Sequence, residues 1–229
     1  MTLLKICGLR QNDQAAAIAA LGVDAIGVIA VSGSPRYLPP AQRPALFAAV
    51  HQANPGCQGV LVVADPEPAM VDELRPGQGH QVVQLHGSET PEQCQRLRDE
   101  LGGIKLWKAL RVRSGDDLER ARAYQGCVDA LLLDAWVSGQ LGGTGVAIPL
   151  ELLQSFEPAL PWWLAGGIQE RSAAAALAML RPTGLDASSG VEHSPGDKDP
   201  DRVAALLAVV RTARQDRDQP ALSVDPPCP

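Results

Sequence analysis

Four side chains able to do chemistry fall where short apolar runs give out. Cys7 closes Leu3–Cys7, Arg36 follows Ala25–Val31 by a few residues, His86 closes Gln81–His86 and Asp134 closes Ala130–Asp134. A thiol, an imidazole and a carboxyl group can exchange protons with a substrate, and a guanidinium can grip an anion. Each also has a plainer reading. Cys7 alone is a small buried hydrophobe. Asp134 can cap the segment that follows it, His86 can fix the Gly87-Ser88 turn, and Arg36 can be an exposed loop charge. Against four separate coincidences stands their common position, at or just beyond the C-terminal ends of predicted strands, where parallel barrels carry their chemistry.

Three later loops are rich in small residues: Gly139–Gly145, which contains Gly143, then Ala165-Gly166-Gly167, and Ser188-Ser189-Gly190. Glycine lets backbone N–H groups approach an anion closely, and the loops after the seventh and eighth strands of a barrel commonly hold a phosphate. Gly143, Gly166, Gly167, Ser189 and Gly190 are therefore candidate phosphate contacts, the alternative being ordinary turn glycines.

The elements that would position these groups recur eight times: a Val/Ile/Leu-rich run, a turn with Gly, Ser or Asp, then an Ala/Leu/Arg/Glu-rich helical stretch. Strands are expected near Leu3–Cys7, Ala25–Val31, Gly59–Ala64, Gln81–His86, Ile104–Leu110, Ala130–Asp134, Trp162–Ala165 and Leu185–Ser188. Helices are expected at Asn12–Leu21, Pro40–Gln52, Pro91–Leu101, Asp116–Tyr124, Ser172–Leu180 and Asp201–Arg214, with shorter ones at Glu67–Leu74 and Pro149–Phe156. Thr90-Pro91-Glu92-Gln93 supplies a cap, a first-turn proline and a first-turn acid. Eight strand–helix units in one chain of this length predict the α/β class and a closed (β/α)8 TIM barrel, a single domain over residues 1–214. The polar stretch 215–229, with four prolines, reads as a disordered tail.

Strands covered on both faces should be almost wholly apolar, so polar residues inside them need partners. Alternation turns Lys5 and Cys7 to one face of strand 1, and Asp186 and Ser188 to one face of strand 8. Barrel closure makes these strands neighbours, which predicts a buried Lys5–Asp186 ion pair.

Composition narrows the partners. A net charge of −6 with no segregated basic patch speaks against nucleic acid. No apolar run reaches the ~20 residues of a membrane-spanning helix, and no secretory signal is visible. Five scattered cysteines, an odd number, fit a reducing cytoplasm. The four histidines show no ligand spacing, the cysteines form no CxxC pair, and no GxGxxG follows the first strand, so neither a metal nor a dinucleotide is expected.

Over Leu3 to Val210 the chain resembles the phosphoribosylanthranilate isomerase family of tryptophan biosynthesis. Lys5-Ile6-Cys7-Gly8, Ser34-Pro35-Arg36-Tyr37 and Gln84-Leu85-His86-Gly87 match its KICG, SPRY and QLHG segments. Leu133-Asp134, Gly142-Gly143-Thr144-Gly145, Leu164-Ala165-Gly166-Gly167 and Ser188-Ser189-Gly190-Val191-Glu192 follow in the family's order. The chain departs from the family where a Lys and an aromatic often follow GGTG, here Val146 and Ile148, and where a Lys often precedes SPRY, here Gly33.

The resemblance implies an Amadori rearrangement without a cofactor, converting an anthranilate-linked aminoaldose phosphate to an aminoketose. It makes Asp134 the acid that opens the sugar ring and Cys7 the base that removes the C2 proton. It assigns the anthranilate carboxylate to Arg36, the sugar or the base to His86, and the phosphate to the glycine loops. Such a Cys7 would be a thiolate favoured by Lys5. Two alternatives remain: another phosphosugar isomerase barrel, or a catalytically silent phosphosugar-binding barrel. The histidine-pathway isomerase uses an aspartate where Cys7 stands, and a silent binder has no need of the Cys7 and Asp134 pair. With no long apolar surface run in view, a monomer is expected.

Overall fold

The computed structural model describes residues 1–135 and 147–218. Eight parallel strands close into a barrel in chain order: β1 (Leu3–Cys7), β2 (Ala25–Ile29), β3 (Gln58–Val63), β4 (Val82–Leu85), β5 (Lys105–Val112), β6 (Ala130–Ala135), β7 (Trp162–Leu164) and β8 (Gly184–Ala187). Helices cover the outside: α1 (Asn12–Ala20), α2 (Arg43–Ala53), α3 (Val71–Leu74), α4 (Pro91–Leu101), α5 (Gly115–Glu119), α6 (Leu150–Leu153), α7 (Glu170–Met179) and α8 (Pro200–Asp218). After β8 comes a small antiparallel hairpin, β9 (Glu192–Ser194) and β10 (Asp197–Lys198), which the sequence pattern did not reveal. The last helix runs through Asp218, past the expected end at Arg214, so residues 215–218 are helical rather than tail. The rest of the tail lies outside the described residues.

Two cores result from the alternation of each strand. Leu4, Ile6, Ile26, Leu61, Leu131 and Leu133 face outward into the helices, whereas Val60, Val62, Trp107, Leu132 and Trp163 fill the lumen. Trp107 and Trp163 pack with ring centroids 4.7 Å apart. Gly184 is the residue that admits them, since a Cβ there would run into the Trp163 ring. Trp107 pairs in register with Ala130, four residues before Asp134, so the indoles plug the barrel beneath its C-terminal rim. The space above them is left for a ligand.

The loop after β4 is fastened from outside the lumen. Lys108, which β5 turns away from Trp107, donates to Glu89 Oε2 at 2.8 Å and to the carbonyls of Gly87 at 3.0 Å and Ala109 at 2.8 Å. Glu89 Oε1 in turn accepts from the amides of Asp65 at 2.7 Å and Gly87 at 3.1 Å. Asp65 has a left-handed φ of 45° and accepts from the Ser88 amide at 2.8 Å, in space that a Cβ on Gly87 would occupy. Thr90 and Gln93 then form a reciprocal capping box that starts α4. His86 is thereby held between a buried strand and a bolted loop.

Removing Lys108 orphans a carboxylate that is 2% exposed. Lys108→Met is expected to cost ~3–5 kcal/mol in urea unfolding. Arg75→Ala, at the exposed Arg75–Asp72 pair, should cost less than ~1 kcal/mol. Equal losses at the two sites would contradict the role given to the buried pair.

Candidate active site

A cavity of about 530 Å³ opens at the C-terminal rim and is lined by Cys7, Arg36, His86, Asp134, Gly166, Gly167 and Ser189, among others. Seven of the nine residues expected from the sequence thus meet in one place. Around the rim, Cys7 ends β1, Arg36 follows β2, His86 follows β4 and Asp134 lies in β6. Gly166 and Gly167 follow β7, and Ser189 follows β8. The small-residue loops therefore lie between Cys7 and Asp134 on one side of the ring, and Arg36 and His86 on the other.

Cys7 is buried over the predicted ion pair: Lys5 Nζ donates to Asp186 Oδ2 at 2.9 Å, and the two residues are register partners across the β1–β8 closure. Burial opposes the Lys5 charge, but Asp186 and Cys7 overcome it and hold its pKa above the ordinary value. Lys5 acts on Cys7 in the expected direction, lowering the pKa of its thiol. Burial outweighs that pull and Asp186 adds to the rise, so the Cys7 thiol lies above its ordinary pKa.

Asp134 is buried at the end of β6, where Oδ1 accepts from the Ala135 amide at 2.9 Å. Its other oxygen, Oδ2, lies 3.5 Å from His86 Nε2. Gln84, two residues back on the same strand face, donates from Nε2 to His86 Nδ1 at 3.1 Å. That bond makes Nδ1 the acceptor and leaves the ring proton on Nε2, facing Asp134. Among the described residues, Gln84 Oε1, His86 Nε2 and Asp186 Oδ1 are buried without a hydrogen-bond partner, and all three residues line the cavity. Buried polar atoms left open in this way are what a ligand's hydroxyl groups would satisfy.

Arg36 is not the exposed loop charge of its plainer reading. It is 7% exposed, and one edge of its guanidinium is already taken by Glu192, with Nε–Oε1 at 2.9 Å and Nη2–Oε2 at 2.7 Å. Lys198 Nζ joins the same carboxylate at 2.5 Å, and the Gly196 amide donates to it at 3.0 Å. Burial works to raise the Glu192 carboxyl, but the bonds from Arg36 and Lys198 overrule it and hold its pKa at about 2. The Nη1/Nη2 edge of Arg36 is left for a second carboxylate. Glu192 appears in the sequence only inside a motif, and Lys198 carries no pattern at all. Gln84 and Asp186 were legible by strand parity but were not placed in the cavity.

Gly166 and Gly167 take left-handed φ angles of 87° and 62°, which bend the chain at the rim after β7. Gly190 stands behind the cavity wall: a Cβ there would strike the carbonyl oxygen of Ile168, so it packs the β8 loop against the β7 loop. Gly143 lies outside the described residues.

Fold and site together define the class: a (β/α)8-barrel enzyme with a thiol, a carboxyl group and an anion-holding guanidinium around one C-terminal mouth. The family model for N-(5'phosphoribosyl)anthranilate (PRA) isomerase matches residues 4–209. A curated relative of that name from Synechococcus elongatus is 48% identical over 207 residues, covering 90% of this chain and 94% of its own. The solved phosphoribosyl anthranilate isomerase of Thermotoga maritima superposes with a TM-score of 0.82 at 27% identity, over 93% of this chain and all of that one. A similar structure, with a TM-score of 0.77 at 26% identity over 93% and 100% of the two chains, holds reduced 1-(o-carboxyphenylamino)-1-deoxyribulose 5-phosphate. The chain belongs to the phosphoribosylanthranilate isomerase family of tryptophan biosynthesis.

Proposed function

We propose that the chain isomerises N-(5-phosphoribosyl)anthranilate to 1-(2-carboxyphenylamino)-1-deoxyribulose 5-phosphate, with Asp134 as acid and Cys7 as base. The observation that carries this reading is that a buried thiol and a buried carboxyl group line one cavity, of a size that suits a small phosphosugar. Asp134 protonates the furanose ring oxygen. The bond from C1 to that oxygen breaks as the anthranilate nitrogen supplies its lone pair, giving an open-chain Schiff base. Cys7, as thiolate, takes the proton from C2, and the electron pair moves to form an enolamine that tautomerises to the ketone.

The remaining residues bind and orient. Arg36 receives the anthranilate carboxylate on its free edge, and His86 Nε2–H steadies a sugar hydroxyl or the Asp134 carboxyl group. Backbone donors at Gly166, Gly167, Ser189 and Gly190, with Gly143 from the loop after β6, take the phosphate. Both steps are proton transfers within reach of a positioned acid and base, so no cofactor is called for. The enzyme is proposed to act in the cytoplasm as a monomer. In support, no helix among the described residues is long and apolar enough to cross a membrane, and their exposed large hydrophobics are Met1 and Met179.

The test is loss of the substrate's fluorescence on addition of the wild-type protein. A folded protein that leaves freshly generated substrate unchanged would remove the isomerase reading. The same assay carries a pH prediction. Because the base is a thiolate and burial raises the Cys7 thiol, kcat/KM should keep rising with pH to beyond the ordinary thiol value of roughly 8.5. A profile already level near pH 7 would show that another group is the base.

A further inference from the structure

The cationic side of the cavity is one carboxylate short. Among the described residues, the ion pairs of both Arg36 and Lys198 end on Glu192 alone, at 2.7 Å and 2.5 Å. All three side chains are buried, so Glu192 matches one positive charge and the other stays unmatched at the cavity wall. Buried charge without a counter-charge is unfavourable, and a site built this way favours a ligand that brings the missing anion. Lys198 shows the imbalance: burial lowers its pKa, and Arg36 adds to the fall against the support of Glu192.

The same contacts fix direction. Glu192 occupies the Nε/Nη2 edge of Arg36 and is itself held by Lys198, by the Gly196 amide and, through its backbone carbonyl, by Arg202 Nη1 at 2.6 Å. Lys198 is anchored in turn on the Ser188 carbonyl at 3.2 Å. The hairpin β9–β10, which carries Glu192 and Lys198 side by side in register, is the scaffold for this arrangement. Arg36 therefore meets a ligand with its plane set and one two-donor edge open.

We propose that Lys198, acting through Glu192, is a positioning residue that sets specificity: it makes Arg36 select a ring carrying a carboxylate over the same ligand without one. This rests on the assignment of the ring carboxylate to Arg36. Two product analogues separate the claims, the reduced o-carboxyphenylamino deoxyribulose phosphate and its plain phenylamino counterpart. The quantity to measure is the ratio of their dissociation constants, in which a general loss of packing or of phosphate binding cancels.

Wild type should prefer the carboxylate by ~10-fold or more, the worth of one charge-assisted pair, and Arg36→Met should bring the ratio near one. Lys198→Met leaves Arg36 and Glu192 as a neutral pair, and Lys198→Gln also keeps a donor for Glu192 as a milder second variant. Both should lower the preference by roughly three- to tenfold. A preference unchanged in the Lys198 variants but lost in Arg36→Met would overturn this proposal alone. A wild-type ratio near one, or a preference that survives Arg36→Met, would remove the Arg36 assignment and the proposal with it.

Discussion

Cys7→Ser and Asp134→Asn should each lower kcat/KM for phosphoribosylanthranilate by ~10²–10⁴-fold, the usual contribution of a positioned acid or base. A serine hydroxyl at the end of β1 is close to the thiol in shape but is a far weaker base in a site this buried. An asparagine in β6 keeps the bond from the Ala135 amide to its side-chain oxygen but has no proton to give. Both changes leave Arg36 and the β7 and β8 loops untouched, so binding of the reduced product analogue should stay within a few-fold of wild type. Near-normal turnover in either folded variant would take that residue out of the mechanism.

Lys5→Met should be the most destabilising single change in the lumen, at ~3–5 kcal/mol, because it leaves the Asp186 carboxylate buried and alone. Among the described residues Asp186 Oδ1 has no partner, so losing the 2.9 Å bond at Oδ2 removes the one side-chain hydrogen bond they give this group. The double variant Lys5→Met/Asp186→Asn should recover a large part of the loss, and the difference between the double change and the two single ones measures the coupling. The sign with pH is also fixed. Lys5 holds its proton more tightly folded than unfolded, so its contribution is complete below the ordinary lysine pKa of about 10.4. It is lost as pH rises through the higher folded value. A fall of less than ~1 kcal/mol in Lys5→Met, or a double variant no better than the single one, would contradict a paired, charged Lys5. Loss of Lys5 also removes the chief influence that lowers the Cys7 thiol, so activity in the variant should need still higher pH.

The barrel was legible because its strands alternate two ways at once. Leu4 and Ile6 announce the helical layer, while Lys5 and Cys7 announce a lumen that must answer a charge, and strand closure brings Asp186 to do so. The strand ends likewise put Cys7, His86 and Asp134 on one rim before any coordinate is known. What sequence could not show is who holds whom at long range. Glu192 is 156 residues from Arg36, and Lys198 sits in a two-residue strand with no periodicity of its own. At Cys7 the pull of Lys5 was legible from strand parity, but the burial that outweighs it was not. Helix α8 outran its expected end because Gln215, Asp216, Arg217 and Asp218 are tolerated in a helix as well as in a polar tail.

The division of labour between acid and base is tested most directly by single-turnover rates with substrate carrying deuterium at the sugar C2, for Cys7→Ser beside Asp134→Asn. With Cys7 as the base, Cys7→Ser should be limited by breaking the C2–H bond and show a full primary isotope effect. With Asp134 as the acid, Asp134→Asn should be limited by ring opening and show an isotope effect near one. The reverse pattern, or the same isotope effect in both variants, would contradict the assignment of Cys7 and Asp134 to these two steps.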